Sequence, residues 1–81
     1  MNAPRTDFSD ALRALKRGHK LARDGWNGKG MHVQMQFPDA HSKMERPYFF
    51  IDPGEGWRVP WVPSVNDLTA EDWHVVEGTR R

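Results

Sequence analysis

This chain of 81 residues contains no cysteine, so neither a disulfide nor a thiolate-bound metal can brace it. That absence fits a reducing compartment. No apolar run approaches the roughly 18 residues that a membrane span requires. Arg5, Asp7, Asp10 and Arg13 put charge where a secretory leader would carry its apolar core. The cytoplasm is the expected location. An excess of one charge sign is missing as well: 12 basic residues stand against 11 acidic ones, for a formal net charge of +1. A dedicated nucleic-acid-binding domain shows a basic excess on one face, so a nucleic-acid polymer is not the expected partner. A small anionic ligand needs only a few well-placed donors, which this composition supplies.

Apolar residues are scarce, at 37% of the chain. Ordering a chain costs about 1.5 kcal/mol per residue, and small chains often gain the missing burial from a second copy of themselves. A homo-oligomer is therefore expected.

Catalytic constellations are lacking too. His19, His32, His41 and His74 show no ligand spacing, and Ser9, Ser42 and Ser64 lack a nucleophile-elbow context. Glu71 and Asp72 are neighbours, but adjacent carboxylates rarely converge on one substrate atom; capping or contacts to ligand hydroxyls suit them better. No catalytic residue, metal or cofactor is expected.

What is present begins with one amphipathic helix. Phe8, Ala11, Leu12 and Leu15 fall at helical spacing, Asp7 can cap the start, Asp10 suits the first turn, and Gly18 supplies the stop. His19 to Arg23 reads as a short strand. Asp24 to Gly30 holds three glycines in seven residues and reads as a loop. Met31, Val33, Met35 and Phe37 alternate with polar residues, the pattern of a half-buried strand. A polar loop follows over 38–47, then a strand from Tyr48 to Ile51 ending at the turn signal Asp52-Pro53-Gly54. Trp57, Val59 and Trp61 alternate as a further strand, which Pro60 relegates to an edge or bulge. Ser64 with Asp67 marks a short helical turn, Thr69 with Asp72 repeats that spacing, and Trp73 to Glu77 forms a last strand. The expected fold is α+β: an N-terminal helix on an antiparallel sheet of four to five strands, with short helical turns before the last strand. Residues 1–6 are expected to be a disordered start, 7–78 a single ligand-binding domain, and 79–81 a frayed tail.

Four tryptophans, four phenylalanines and one tyrosine are a heavy aromatic load. One use for them is core, because each ring buries a large area. The other is stacking on a planar ligand ring, worth roughly 1–3 kcal/mol per nucleobase. Trp26 in the glycine-rich loop and Trp61 between prolines are placed for stacking; Trp73, opening a strand, is placed for the core. The loop Gly25-Trp26-Asn27-Gly28-Lys29-Gly30 could cradle phosphate oxygens through its N–H groups, with Lys29 as countercharge, or could be a plain hairpin connection. It has neither the Walker ending nor the strand–loop–helix setting of a dinucleotide fingerprint.

Three stretches carry a resemblance to a known family: Phe8 to Lys16 with the Gly18 stop, the run Leu21-Ala22-Arg23-Asp24-Gly25-Trp26-Asn27-Gly28-Lys29-Gly30-Met31, and the segment from Val59 to Trp73. The chain resembles the phage Thoeris anti-defence protein family, type two. The resemblance implies a non-catalytic sponge that holds cyclic ADP-ribose-type signals (glycocyclic ADP-ribose among them) intact, so that bacterial Thoeris anti-phage defence is blocked. It further implies homotetramers with pockets at subunit interfaces, and some members also capture cyclic dinucleotides at separate sites. Carried over by position, Phe8, Trp26 and Trp61 would sandwich the base. Asn27 and the backbone from Gly25 would approach ribose or phosphates. Thr69, Ala70, Glu71 and Asp72 would close the far side, with Asp72 on a ribose hydroxyl, and Arg23 or Arg58 would neutralise phosphate. Two other readings remain beside it: a phage protein-interaction or structural module, and a hydrolase of the same signal.

Overall fold

The first helix, α1 (Phe8–Lys16), forms where its local chemistry directs. The Asp7 carboxylate accepts from the Asp10 N–H at 3.1 Å, while Arg13 and Lys16 occupy the last turn, where cations meet the negative end of the helix dipole. Ala11 and Leu15, one turn apart, are fully buried. Gly18 then takes φ of +95°, a left-handed conformation that favours glycine, and its N–H closes on the Leu15 carbonyl at 3.0 Å. The structure, a computed structural model, describes residues 4–26, 30–41, 43, 45–54 and 56–76.

The remaining elements are β1 (Leu21–Arg23), β2 (His32–Gln36), β3 (Tyr48–Asp52), β4 (Val59–Pro60), α2 (Val65–Thr69) and β5 (Trp73–Val75). They build one antiparallel sheet of five strands in the order β4-β3-β2-β1-β5. The expected α+β architecture is what the chain adopts, with α2 as the short helix before the last strand. Register decides which residues look inward. Leu21 opposes Val33 and Val75, Val33 opposes Ile51, and Met35 opposes Phe49. Because side chains alternate along a strand, these residues share the face that α1 covers. Ala11, Leu15, Leu21, Val33 and Trp73 form the buried core there, and Phe8, Ala14, Trp26, Phe49, Ile51, Trp61, Ala70 and Val75 pack around it. Ala22 and Phe50 are buried on the other face, where the Arg58 guanidinium lies 4.7 Å from the centre of the Phe50 ring.

Several boundaries differ from the sequence reading. The strand expected around Trp57, Val59 and Trp61 shrinks to Val59–Pro60, at the edge of the sheet, where a residue without an N–H is tolerated. Phe37 lies outside β2 and is 44% exposed, because β3 has its last partner at Gln36. Thr69 and Asp72 do not open a second helical turn: Thr69 lies in α2 and its hydroxyl donates to the Val65 carbonyl at 3.0 Å, and Ala70 turns to extended geometry. Thr6, within the polar start, exchanges backbone hydrogen bonds of 2.9 and 3.1 Å with Trp73 and so borders β5. Among the described residues, no helix is long and apolar enough to cross a membrane. The expected tail at 79–81 lies outside the described residues.

Candidate ligand-binding site

Trp73 opens β5 with its side chain directed inward, and it is completely buried. Three rings from three separate parts of the chain converge on it: Phe8 from α1 at 5.4 Å, Trp26 from the glycine-rich loop at 5.3 Å, and Trp61 from the segment after β4 at 6.0 Å between centroids. Trp61 also meets Phe49 at 5.9 Å. Phe8, Trp26 and Trp61 are half-buried, each anchored on the core by one side with the remainder open to solvent. The aromatic load therefore serves both of the uses considered for it: Trp73 is core, and the other three form a partly exposed rim around it.

The rim is not a slot. Trp26 and Trp61 lie 6.4 Å apart with planes crossing at 74°, an edge-to-face contact. A base inserted between two rings needs them roughly parallel, so the sandwich expected for Phe8, Trp26 and Trp61 is not formed by their arrangement within one chain. Phe8 meets Trp61 at 6.4 Å with a tilt of 50°. What one chain offers is an angled aromatic surface on which a flat ring can lie.

Behind this surface is a network of charges. Arg23 shares its strand face with Leu21, which carries its guanidinium inward until the side chain is only 18% exposed. A cation so placed needs partners. Its Nε donates to Asp72 Oδ1 at 2.8 Å and its Nη1 to Asp67 Oδ1 at 3.0 Å. The other Asp72 oxygen accepts the Gly25 N–H at 2.9 Å. Asp67 Oδ2 accepts the Ser64 N–H at 2.9 Å, and the Ser64 hydroxyl oxygen accepts the Asp67 N–H at 3.1 Å, a capping box that starts α2. Trp73 Nε1 donates to the Asp67 carbonyl at 2.9 Å.

These contacts tune the ionisable groups. Burial alone would push the Asp67 carboxyl up, but hydrogen bonds from the Ser64 N–H, Arg23, the Ser64 hydroxyl and the Trp26 indole outweigh it and hold the group below its ordinary value. Asp72 is held down chiefly by Arg23, against a burial effect, with the Gly25 N–H adding to it. Arg23 is raised, first by its hydrogen bond to Asp72. All three remain charged at neutral pH.

The residues singled out from sequence thus fall into separate groups. Phe8, Trp26 and Trp61 come together. Arg23, Gly25 and Asp72 also come together, but bonded to one another. Thr69 and Glu71 are exposed around the end of α2, while Ala70 packs on the core. Arg58 stands on the opposite face of the sheet, beside a cavity of about 160 Å³ lined by Gln36, Tyr48, Phe50, Val59 and Pro60, so it does not share a site with Trp26 in one chain. Asn27 lies outside the described residues. Asp67 was not singled out for more than a cap, and Phe49 not at all. The signal for Asp67 was Arg23, which lies two residues from the core residue Leu21 on one strand, so that its guanidinium turns inward and needs acceptors there.

Comparison with known proteins places the chain. The Thoeris anti-defense 2-like domain matches residues 6–76. Thoeris anti-defense 2 of Bacillus phage SP01 is 35% identical over 82 residues, which covers 85% of this chain and 92% of that protein. The matched span contains both the aromatic rim and the Arg23 network, and the chain belongs to the Thoeris anti-defense 2-like family.

Proposed function

We propose that this domain counters Thoeris defence by binding a cyclic ADP-ribose-type signal and holding it unaltered. Membership in the family supports the anti-Thoeris role. The observation that carries the ligand class is the convergence of Phe8, Trp26 and Trp61 on Trp73, which leaves three half-buried rings together at one rim. Aromatic faces suit a purine, whereas the Gly25 and Trp26 N–H groups are already taken by Asp72 and Arg23. In this reading the base lies on the Trp26–Trp61 surface. Asn27 approaches ribose or phosphate, and Thr69, Ala70 and Glu71 border the far side.

The mechanism is stoichiometric. Binding removes the signal from its receptor in the host cytoplasm, with no bond broken in the ligand and no catalytic group required. A second copy of the chain supplies the opposing wall of the pocket, so the working unit is a homo-oligomer, a tetramer by likeness to the family. That wall answers the edge-to-face contact of Trp26 and Trp61, which leaves a base only one aromatic side within a chain.

The test is to incubate cyclic ADP-ribose isomers with the protein, heat-denature it, and identify what is released by mass spectrometry. Submicromolar capture with full recovery of intact ligand is expected, and Trp26→Ala should lose the capture. Steady product formation over many equivalents at substoichiometric protein would instead indicate a hydrolase. Retention of a host protein with no nucleotide released would favour an interaction module.

A further inference from the structure

We infer that Arg23, Asp67 and Asp72 are positioning residues: an ion-paired clasp that sets the pose of the Trp26 ring and of the Gly25 backbone while leaving ligand contact to others. This rests on the reading of Trp26 as a binding surface.

The clasp joins parts of the chain that are far apart in sequence. Arg23 Nε and Nη1 reach Asp72 and Asp67, 49 and 44 residues downstream, at 2.8 and 3.0 Å. Trp26 is tied into it at several points. Its N–H donates to the Arg23 carbonyl at 3.2 Å, the preceding N–H, of Gly25, donates to Asp72 at 2.9 Å, and its ring packs at 5.3 Å on Trp73, whose indole donates to the Asp67 carbonyl. Asp24, next in line, donates its N–H to the Asp72 carbonyl at 3.2 Å. Position 25 has little room to spare: a Cβ there would sit 3.2 Å from Arg23 Nη2 and 3.3 Å from Asp72 Oδ2. The backbone at Gly25 is pressed onto the clasp.

Stability alone is a poor reason for such a construction. A buried ion pair can often be replaced by apolar residues of similar volume at no loss, because desolvation offsets much of the attraction. What charges and a planar guanidinium supply and apolar packing does not is direction, since the fork fixes two acceptors relative to one another. Here the acceptors are anchored independently, Asp67 in the α2 capping box and Asp72 immediately before β5. Their direction is transmitted to Gly25 and Trp26.

Asp72→Asn tests this directly. An amide offers one acceptor oxygen where the carboxylate offers two, so it must release either Arg23 or Gly25. Arg23→Lys is the companion variant: it keeps the charge and loses the fork. In nitrogen–proton correlation spectra of the ligand-free protein, with the Trp26 indole assigned through Trp26→Phe, both variants should shift the Gly25 amide and the Trp26 indole signals. The amides of α1 and β3, which lie outside the clasp, should stay in place. Affinity of the folded variants for cyclic ADP-ribose should fall about tenfold, the low end of what outer-shell partners contribute at metal sites. Unchanged Gly25 and Trp26 signals overturn the inference. So does a lower melting temperature with affinity intact, and so does global unfolding of both variants, which would make the network a requirement of the whole fold. If the unmodified protein does not bind cyclic ADP-ribose, the proposed ligand is wrong, and the spectra still decide the clasp.

Discussion

Replacing Trp73 by Phe keeps a ring at the hub of the aromatic cluster but deletes the indole N–H that reaches the Asp67 carbonyl at 2.9 Å. The change leaves a buried carbonyl without its donor and a void where the larger ring had been. A loss of about 2–3 kcal/mol is expected by urea denaturation. Trp26→Ala should behave differently, with capture of ligand lost and the protein still folded, because Trp26 is half-buried at the rim. Two glycines separate conformation from crowding. At Gly18, with φ of +95° and nothing within 4 Å of a Cβ, an alanine is strained only by its backbone and should lower stability by about 1–2 kcal/mol while leaving the site intact. At Gly25 the crowding atoms belong to Arg23 and Asp72, so alanine should perturb ligand capture as well. Paired melting and binding measurements on the two variants distinguish these outcomes.

The two helices were legible because their signals are local. Asp7 with Asp10, Gly18, and Ser64 with Asp67 each act within a few residues, and the structure uses all of them. Ser64→Ala should cost about 1 kcal/mol, and since α2 carries Asp67 it should also loosen the Arg23 pairing, read as a shift of the Gly25 amide. The alternation in β2 located its buried Val33 correctly but overran at Phe37, because a strand ends where its partner ends, and the partner lies more than ten residues along. At β4 the partner continues, and the Trp61 N–H still reaches the Phe49 carbonyl at 3.0 Å, but regular pairing is confined to Val59 and Pro60. The candidate site was legible as residue types rather than as roles. Trp26, Trp61 and Phe8 do meet, but their mutual angles depend on the shared hub. Arg23 and Asp72 were legible as charged groups, but nothing local revealed that they pair across the fold. One clue lay in the chain: Leu21 faces the core, so Arg23, two residues on, does too.

For the molecule as a whole, acid should release the clasp. Asp67 and Asp72 have folded-state pKa values below the ordinary carboxylate value of 3.8, so their ionisation stabilises the native state fully above that range and ceases to do so as pH falls through the lowered values. The gap in urea midpoint between the unmodified protein and Asp72→Asn should be constant from about pH 7 to about pH 5 and close below about pH 4. Self-association, if the proposed working unit is right, makes the melting temperature rise with protein concentration. Finally, both borders of the sheet are blunted. At one, β4 has only Val59 and Pro60, and proline has no N–H to offer; at the other, Thr6 occupies the backbone of Trp73. Bare strand edges invite neighbouring chains to add on and grow into insoluble ribbons. A protein proposed to work molecule for molecule has to accumulate in a crowded cell, and a sheet with little left to template lets it do so without precipitating.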